Sequence, residues 1–287
     1  MTSHQNHPQR LSGNSVIIFI VQGIALSCLI RFLEFILKQL ILCDDCKLQV
    51  IRELCHKYGL GIEVQSFYDP EYLNVNPDAF EQHADYIKKI PVRYLHGPFG
   101  DLCPGSFDSM VRDVALNRFE LAFSSASKLN IHNIILHVGY VPDTSPAKNW
   151  IKRCCELWKQ FLKDKPNDIT FYLENLFEKT PEFVSELIEQ IDDSRVKVCL
   201  DIGHAYCHSN EDVVTWVEHL GDKIRYVHMH NNHGSTDEHL GLNTGTMPII
   251  DVCHALKQHS PKADLALEVN LESMHSSIEW LKKNEFI

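Results

Sequence analysis

Short apolar runs recur along this chain, and one after another they finish in a histidine or a carboxylate. Val92–His96 ends in His96 and Asn133–Val138 carries His137. Ile169–Glu174 ends in Glu174, and Val196–Asp201 in Asp201 with His204 three residues on. Ile224–His230 carries His228, and Asp264–Val269 carries Glu268. A run of roughly four to eight apolar residues between turn-formers reads as a buried strand. The stretches between have helical character: Lys47–Tyr58 stopped by Gly59, Pro77–Lys89, Ser109–Leu129, Ala147–Lys163, Thr180–Ile191, Asn210–Leu220, Met247–His259 and Ser273–Lys283. Two further strands are expected at Val16–Val21 and Leu60–Phe67. Eight strands alternating with helices in a chain of 287 residues predict an α/β fold, a single-domain (β/α)8 barrel. A doubly wound sheet would ordinarily open with a glycine-rich phosphate loop after its first strand, and none is present.

Active sites of such barrels gather at the C-terminal ends of the strands. One strand-end histidine is usually an ordinary hydrogen-bonded side chain. Six successive strands that all bring imidazole or carboxylate to one mouth describe a cation site, because unpaired groups packed there would repel or shift their pKa values. Asp201 also has a plainer reading, as the cap of the next helix.

The N-terminus is less regular. Residues 1–14 are polar and read as a disordered tail, and the barrel is expected over 15–287. From Val16 to Cys43 the chain is strongly apolar, interrupted by Arg31, Glu34 and Lys38. The uninterrupted part is short against the roughly 20 residues of a membrane span. A buried strand followed by a helix is therefore the expectation, with a membrane anchor as the alternative. A net charge of -11 disfavours generic binding to phosphate backbones. The ten cysteines form no paired CxxC zinc pattern and suggest reduced thiols in a cytoplasmic protein.

The motifs His96-Gly97-Pro98-Phe99, Leu173-Glu174-Asn175, Leu200-Asp201-Ile202-Gly203-His204 and Val227-His228-Met229-His230-Asn231 together resemble the xylose-isomerase-like barrels. Asp237-Glu238-His239 and the Glu268 strand follow in family order. The resemblance spans Gly61 to Glu268; residues 15–45 depart from the family's usual opening. That family includes sugar-phosphate isomerases and epimerases and also endonuclease IV. Its epimerases imply one divalent ion, Mn²⁺, Mg²⁺, Co²⁺ or Zn²⁺, on Glu174, Asp201, His228 and Glu268. Glu174 and Glu268 would move the proton, and the ion would stabilise an enediolate of a small carbohydrate. Endonuclease IV implies three zinc ions, with His96, His137, His204, Asp237 and His239 as further ligands and a phosphodiester of abasic DNA as substrate. The sequence favours the isomerase, chiefly because of its acidity and because Phe67–Asn76 and Phe99–Ser106 contain no lysine or arginine. Phe67, Tyr68, Tyr72, Phe99 and Phe107 offer faces for a base, a sugar or one another. Otherwise His96, His137, His204, Asp237 and His239 serve as substrate contacts. Glu63 points either into the mouth or to a salt bridge, and His230 and His233 are either site residues or loop histidines. A homo-oligomer is compatible with all of this.

Overall fold

A computed structural model describes residues 39–44, 47–76 and 78–287. Eight parallel strands close into one barrel in sequence order. They are β1 (Leu40–Cys43), β2 (Gly61–Val64), β3 (Arg93–His96), β4 (Asn133–His137), β5 (Thr170–Glu174), β6 (Val196–Asp201), β7 (Ile224–Met229) and β8 (Asp264–Leu267). The helices, in order, are α1 (Leu48–Tyr58), α2 (Pro70–Val75), α3 (Ala79–Ile87), α4 (Ser109–Lys128), α5 (Ala147–Leu162), α6 (Pro181–Ile191), α7 (Ile202–His208), α8 (Val213–Leu220), α9 (Ile249–His259) and α10 (Leu271–Lys283).

The strand expected at Val16–Val21 lies outside the described residues. The place it was expected to take, beside β2, belongs to Leu40–Cys43, which pairs with β2 on one side and β8 on the other. Continuous apolar character carries no period, so it marks a buried stretch without locating the strand within it. Among the described residues no helix is long and apolar enough to cross a membrane.

Side chains alternate across each strand, and this alternation builds two cores. Outward residues such as Ile62, Leu95, Ile134, Leu173 and Leu200 meet the helices and are fully buried there. Each such burial contributes about 1.5–3 kcal/mol. Inward residues fill the barrel: Ile41, Tyr94, Ile135, Tyr172, Cys199, Tyr226 and Ala266 form a closed layer. Tyr94 stacks on Tyr226 with ring centres 4.3 Å apart and donates a 2.6 Å hydrogen bond to Asp264. Two residues further along, on the same inner face, stand His96, His137, Glu174, Asp201, His228 and Glu268. The tyrosine and aliphatic layer is therefore the dry floor under a layer of ionisable groups.

Candidate metal centre

His228 lies at the centre of the mouth, fully buried. Its Nε2 is 3.0 Å from Glu63 Oε2, so the ring proton sits on Nε2 and donates to that carboxylate. Nδ1 then presents its lone pair to three other carboxylates. Glu174 Oε1 is 3.2 Å away, Glu268 Oε2 3.1 Å and Asp201 Oδ2 3.7 Å. Among the described residues neither His228 Nδ1 nor Glu268 Oε2 has a hydrogen-bond partner. Donor atoms that share one ion through bonds of about 2.1 Å stand roughly 3–3.5 Å apart. Glu174, Asp201, His228 and Glu268 thus fit one divalent cation, and their unsatisfied buried atoms are what such an ion would satisfy.

The surrounding chain holds these ligands in place. Asp201 caps α7, accepting the His204 amide at 2.6 Å, so the plain capping reading holds together with the metal reading. The side chain of Asn175 clasps the backbone of Asp201, accepting its N–H at 2.9 Å and donating to its carbonyl at 3.0 Å. His230, also fully buried, places Nε2 3.1 Å from both oxygens of Asp201. His233 is exposed instead and pairs with Glu238. Sequence reasoning left Glu63 and His230 undecided and did not single out Gln65 or the clasp by Asn175. The signal for Glu63 was the period of two: it is the inward residue of β2, in register with Tyr94 and Cys43.

Two further groups of ligand type flank the centre. His96 Nε2 and His137 Nε2 lie 3.1 and 3.4 Å from Glu174 Oε2, the oxygen turned away from His228. The two oxygens of Glu174 are thus divided between two clusters. On the other side, His204 Nε2 and His239 Nε2 meet Asp237 Oδ2 at 3.2 and 2.8 Å. Donor atoms of His230, His239 and Glu268 also lie within 4.8 Å of one another, so His239 stands beside this set as well as beside Asp237. Every strand-end residue expected at the mouth is there.

Electrostatics follow from this crowding. Burial alone would raise the pKa of Glu174, yet His228 and His137 beside it hold its carboxyl well below the usual range. Burial would lower His204, but Asp201, Asp237 and Glu174 raise it to about 10. His239 is likewise raised to about 10, against its burial, by Asp237 and Glu268. His137 is different: burial dominates and lowers it to about 4.

A cavity of about 510 Å³ opens above these groups. Its rim includes Gln65, Tyr68, Phe99, Leu176, Val269 and Asn270, and among the described residues no lysine or arginine lines it. Tyr68 stacks on Phe99 with centres 5.3 Å apart, and Phe99 stacks on His137 at 4.7 Å. Phe67 is instead buried against Phe80, and Phe107 is exposed.

Residues 41–284 match the family model of xylose isomerase-like TIM barrels. The chain belongs to that family. An uncharacterized protein of Methanocaldococcus jannaschii is 27% identical over 220 residues, covering 70% of this chain and 74% of that protein. Among solved structures, a D-tagatose 3-epimerase-like protein superposes with a TM-score of 0.69 at 23% identity, over 86% of this chain and 97% of that one. A Thermus thermophilus protein soaked with ZnCl₂ gives 0.69 at 21% identity, over 86% and 96%. At these identities the likeness is one of fold.

The raised histidines of this xylose isomerase-like barrel carry a pH signature. In metal-free protein, His204 and His239 bind protons more tightly folded than unfolded. Their contribution to stability is complete below the unfolded value of about 6.5 and is lost as pH rises towards 10. The melting temperature of chelator-stripped protein should therefore fall steadily between pH 6.5 and 10. A melting temperature that is flat or rising across that window would show that these histidines are not held protonated.

Proposed function

We propose that this chain is a divalent-metal enzyme that hydrolyses a small phosphate ester with more than one bound ion. The reading is supported by the orientation of three histidines. His96 donates its Nδ1–H to the Gly97 carbonyl, His204 to the Asn175 carbonyl and His239 to the Glu268 carbonyl, at 2.9, 2.9 and 2.8 Å. Each then aims Nε2 at a carboxylate oxygen, where a proton bridges the two in metal-free protein and an ion would take that proton's place. Metal-ligating histidines are oriented in this way, by a hydrogen bond from the other ring nitrogen. In a single-ion site the same three rings would serve as substrate contacts.

Bound ions would supply Lewis acidity and a water of lowered pKa. Glu174, Asp201, His228 and Glu268 would hold the central one. Glu174 would bridge to a second through the oxygen that faces His96 and His137, and Asp237 with His204 and His239 would hold a third. The imidazole-rich donor set suits Zn²⁺ or Co²⁺ better than Mg²⁺. Tyr68 and Phe99 would stack against a planar or sugar portion of the ligand. The absence of lysine and arginine from the cavity lining among the described residues and the net charge of -11 disfavour a long polyanion such as duplex DNA.

A second reading, isomerisation or epimerisation of a carbohydrate, is favoured by one observation. The central four ligands are complete by themselves, with Glu174 and Glu268 both beside His228 Nδ1, as a base and an acid on either side of a chelated sugar would be. The test is turnover with Zn²⁺, Co²⁺ or Mn²⁺ on a panel: bis-p-nitrophenyl phosphate, p-nitrophenyl phosphate, an abasic duplex, and free and phosphorylated ketoses. Cleavage of the phosphate esters is the expected result. Epimerisation of a ketose with no ester cleavage would establish the second reading instead.

A further inference from the structure

We infer that Glu63 is a positioning residue that fixes two of the four central ligands, His228 directly and Glu268 through Gln65. The inference rests on the central metal site and holds for either proposed reaction.

Glu63 is fully buried on the inner face of β2, and its carboxylate accepts from three donors. Oε2 accepts from His228 Nε2 at 3.0 Å and from the Tyr226 hydroxyl at 2.7 Å. Oε1 accepts from Gln65 Nε2 at 3.2 Å. The same amide nitrogen donates to Glu268 Oε1 at 2.5 Å, which leaves Glu268 Oε2 facing His228 Nδ1. A buried carboxylate is costly unless its acceptors are filled, and here every filled position also constrains the ring or side chain that fills it. The bond to Nε2 selects the tautomer in which Nδ1 is the free lone pair, and the negative charge behind the ring makes that lone pair more basic. Gln65 reaches the site because it is the next inward residue after Glu63, and the Asp44 side chain anchors its backbone N–H at 3.0 Å.

The experiment is calorimetric titration of Zn²⁺ into chelator-stripped protein, so its readout is affinity and not turnover. Glu63→Gln keeps the shape and removes the charge; it is expected to weaken the tightest site about 10–100-fold. Gln65→Ala, at a half-buried position that tolerates truncation better, is expected to weaken the same site by a smaller factor through Glu268. Tyr226→Phe removes one hydrogen bond from Glu63 but keeps its charge, its bond to His228 and the ring beside His228; it should lower the melting temperature and leave the affinity within about threefold, well short of the loss expected for a ligand-orienting group. If Tyr226→Phe weakens binding as much as Glu63→Gln, the cause is general disturbance of the barrel floor and the inference fails. If Glu63→Gln binds like the wild type while the wild type binds tightly, the inference fails and the metal site stands. A wild type that takes up no Zn²⁺ removes the metal reading and this inference with it.

Discussion

Protein purified without chelator is expected to carry about three divalent ions per chain, and His137→Ala is expected to carry about two. The difference follows from how Glu174 is shared. Its Oε1 belongs to the centre with His228, while its Oε2 faces His96 and His137, so losing His137 empties one side of the bridge and leaves the four central ligands untouched. His239→Ala acts on the opposite flank, where His239 meets Asp237. Asp201→Asn should instead remove the central ion, because Asp201 belongs to the innermost set and is tied to His204, His230 and Asn175 at once. Each loss should reduce turnover by something on the order of 10²–10³-fold, the scale of losing one preorganised charge-stabilising group. Elemental analysis of the purified variants is the measurement. One ion per wild-type chain, retained in His137→Ala together with activity on a ketose, would decide for the isomerase and reduce the flanking histidines to substrate contacts.

Much of this arrangement was legible because a barrel ties sequence to position so tightly. A strand ending in a ligand-type residue points that residue into the mouth whenever the residue two before it faces inward. Tyr172 and Glu174, Cys199 and Asp201, and Tyr226 and His228 all show that spacing. What escaped had no period to follow. The apolar stretch before Asp44 shows no period of two, so the sequence places the first strand at its beginning, whereas Leu40–Cys43 pairs with β2 and β8. Helix α7 is short and starts directly on Asp201, so the sequence shows only a strand end and a nearby histidine. The supports of the site were harder still to see. Asn175, His230 and Gln65 act through hydrogen bonds to groups 26, 29 and 203 residues away, and no local pattern encodes a partner at that separation. Nor does a list of ligand types distinguish one ion from three.

Gly203→Ala should be the most damaging single methyl group near the site. A Cβ at Gly203 would stand 1.9 Å from Cε1 and 2.4 Å from Nδ1 of His230. Neither side has room to give. The His230 ring is fully buried, bonded to both oxygens of Asp201 and stacked on His239 with centres 4.2 Å apart. On the helix side, the Asn232 amide holds the Gly203 carbonyl at 2.9 Å. The ring can retreat only by releasing Asp201, and Asp201 is at once a central ligand and the cap of α7. Overpacking of this kind costs about 1–3 kcal/mol. Displacing a partner that orients a ligand costs about 10–100-fold in metal affinity. Both effects are expected in Gly203→Ala, read as a lower melting temperature and a weaker Zn²⁺ titration. Gly100→Ala is the control, since no atom lies within 4 Å of a Cβ there, and it should behave as wild type. A Gly203→Ala protein that also matched the wild type in both measurements would mean that His230 does not hold Asp201 in place.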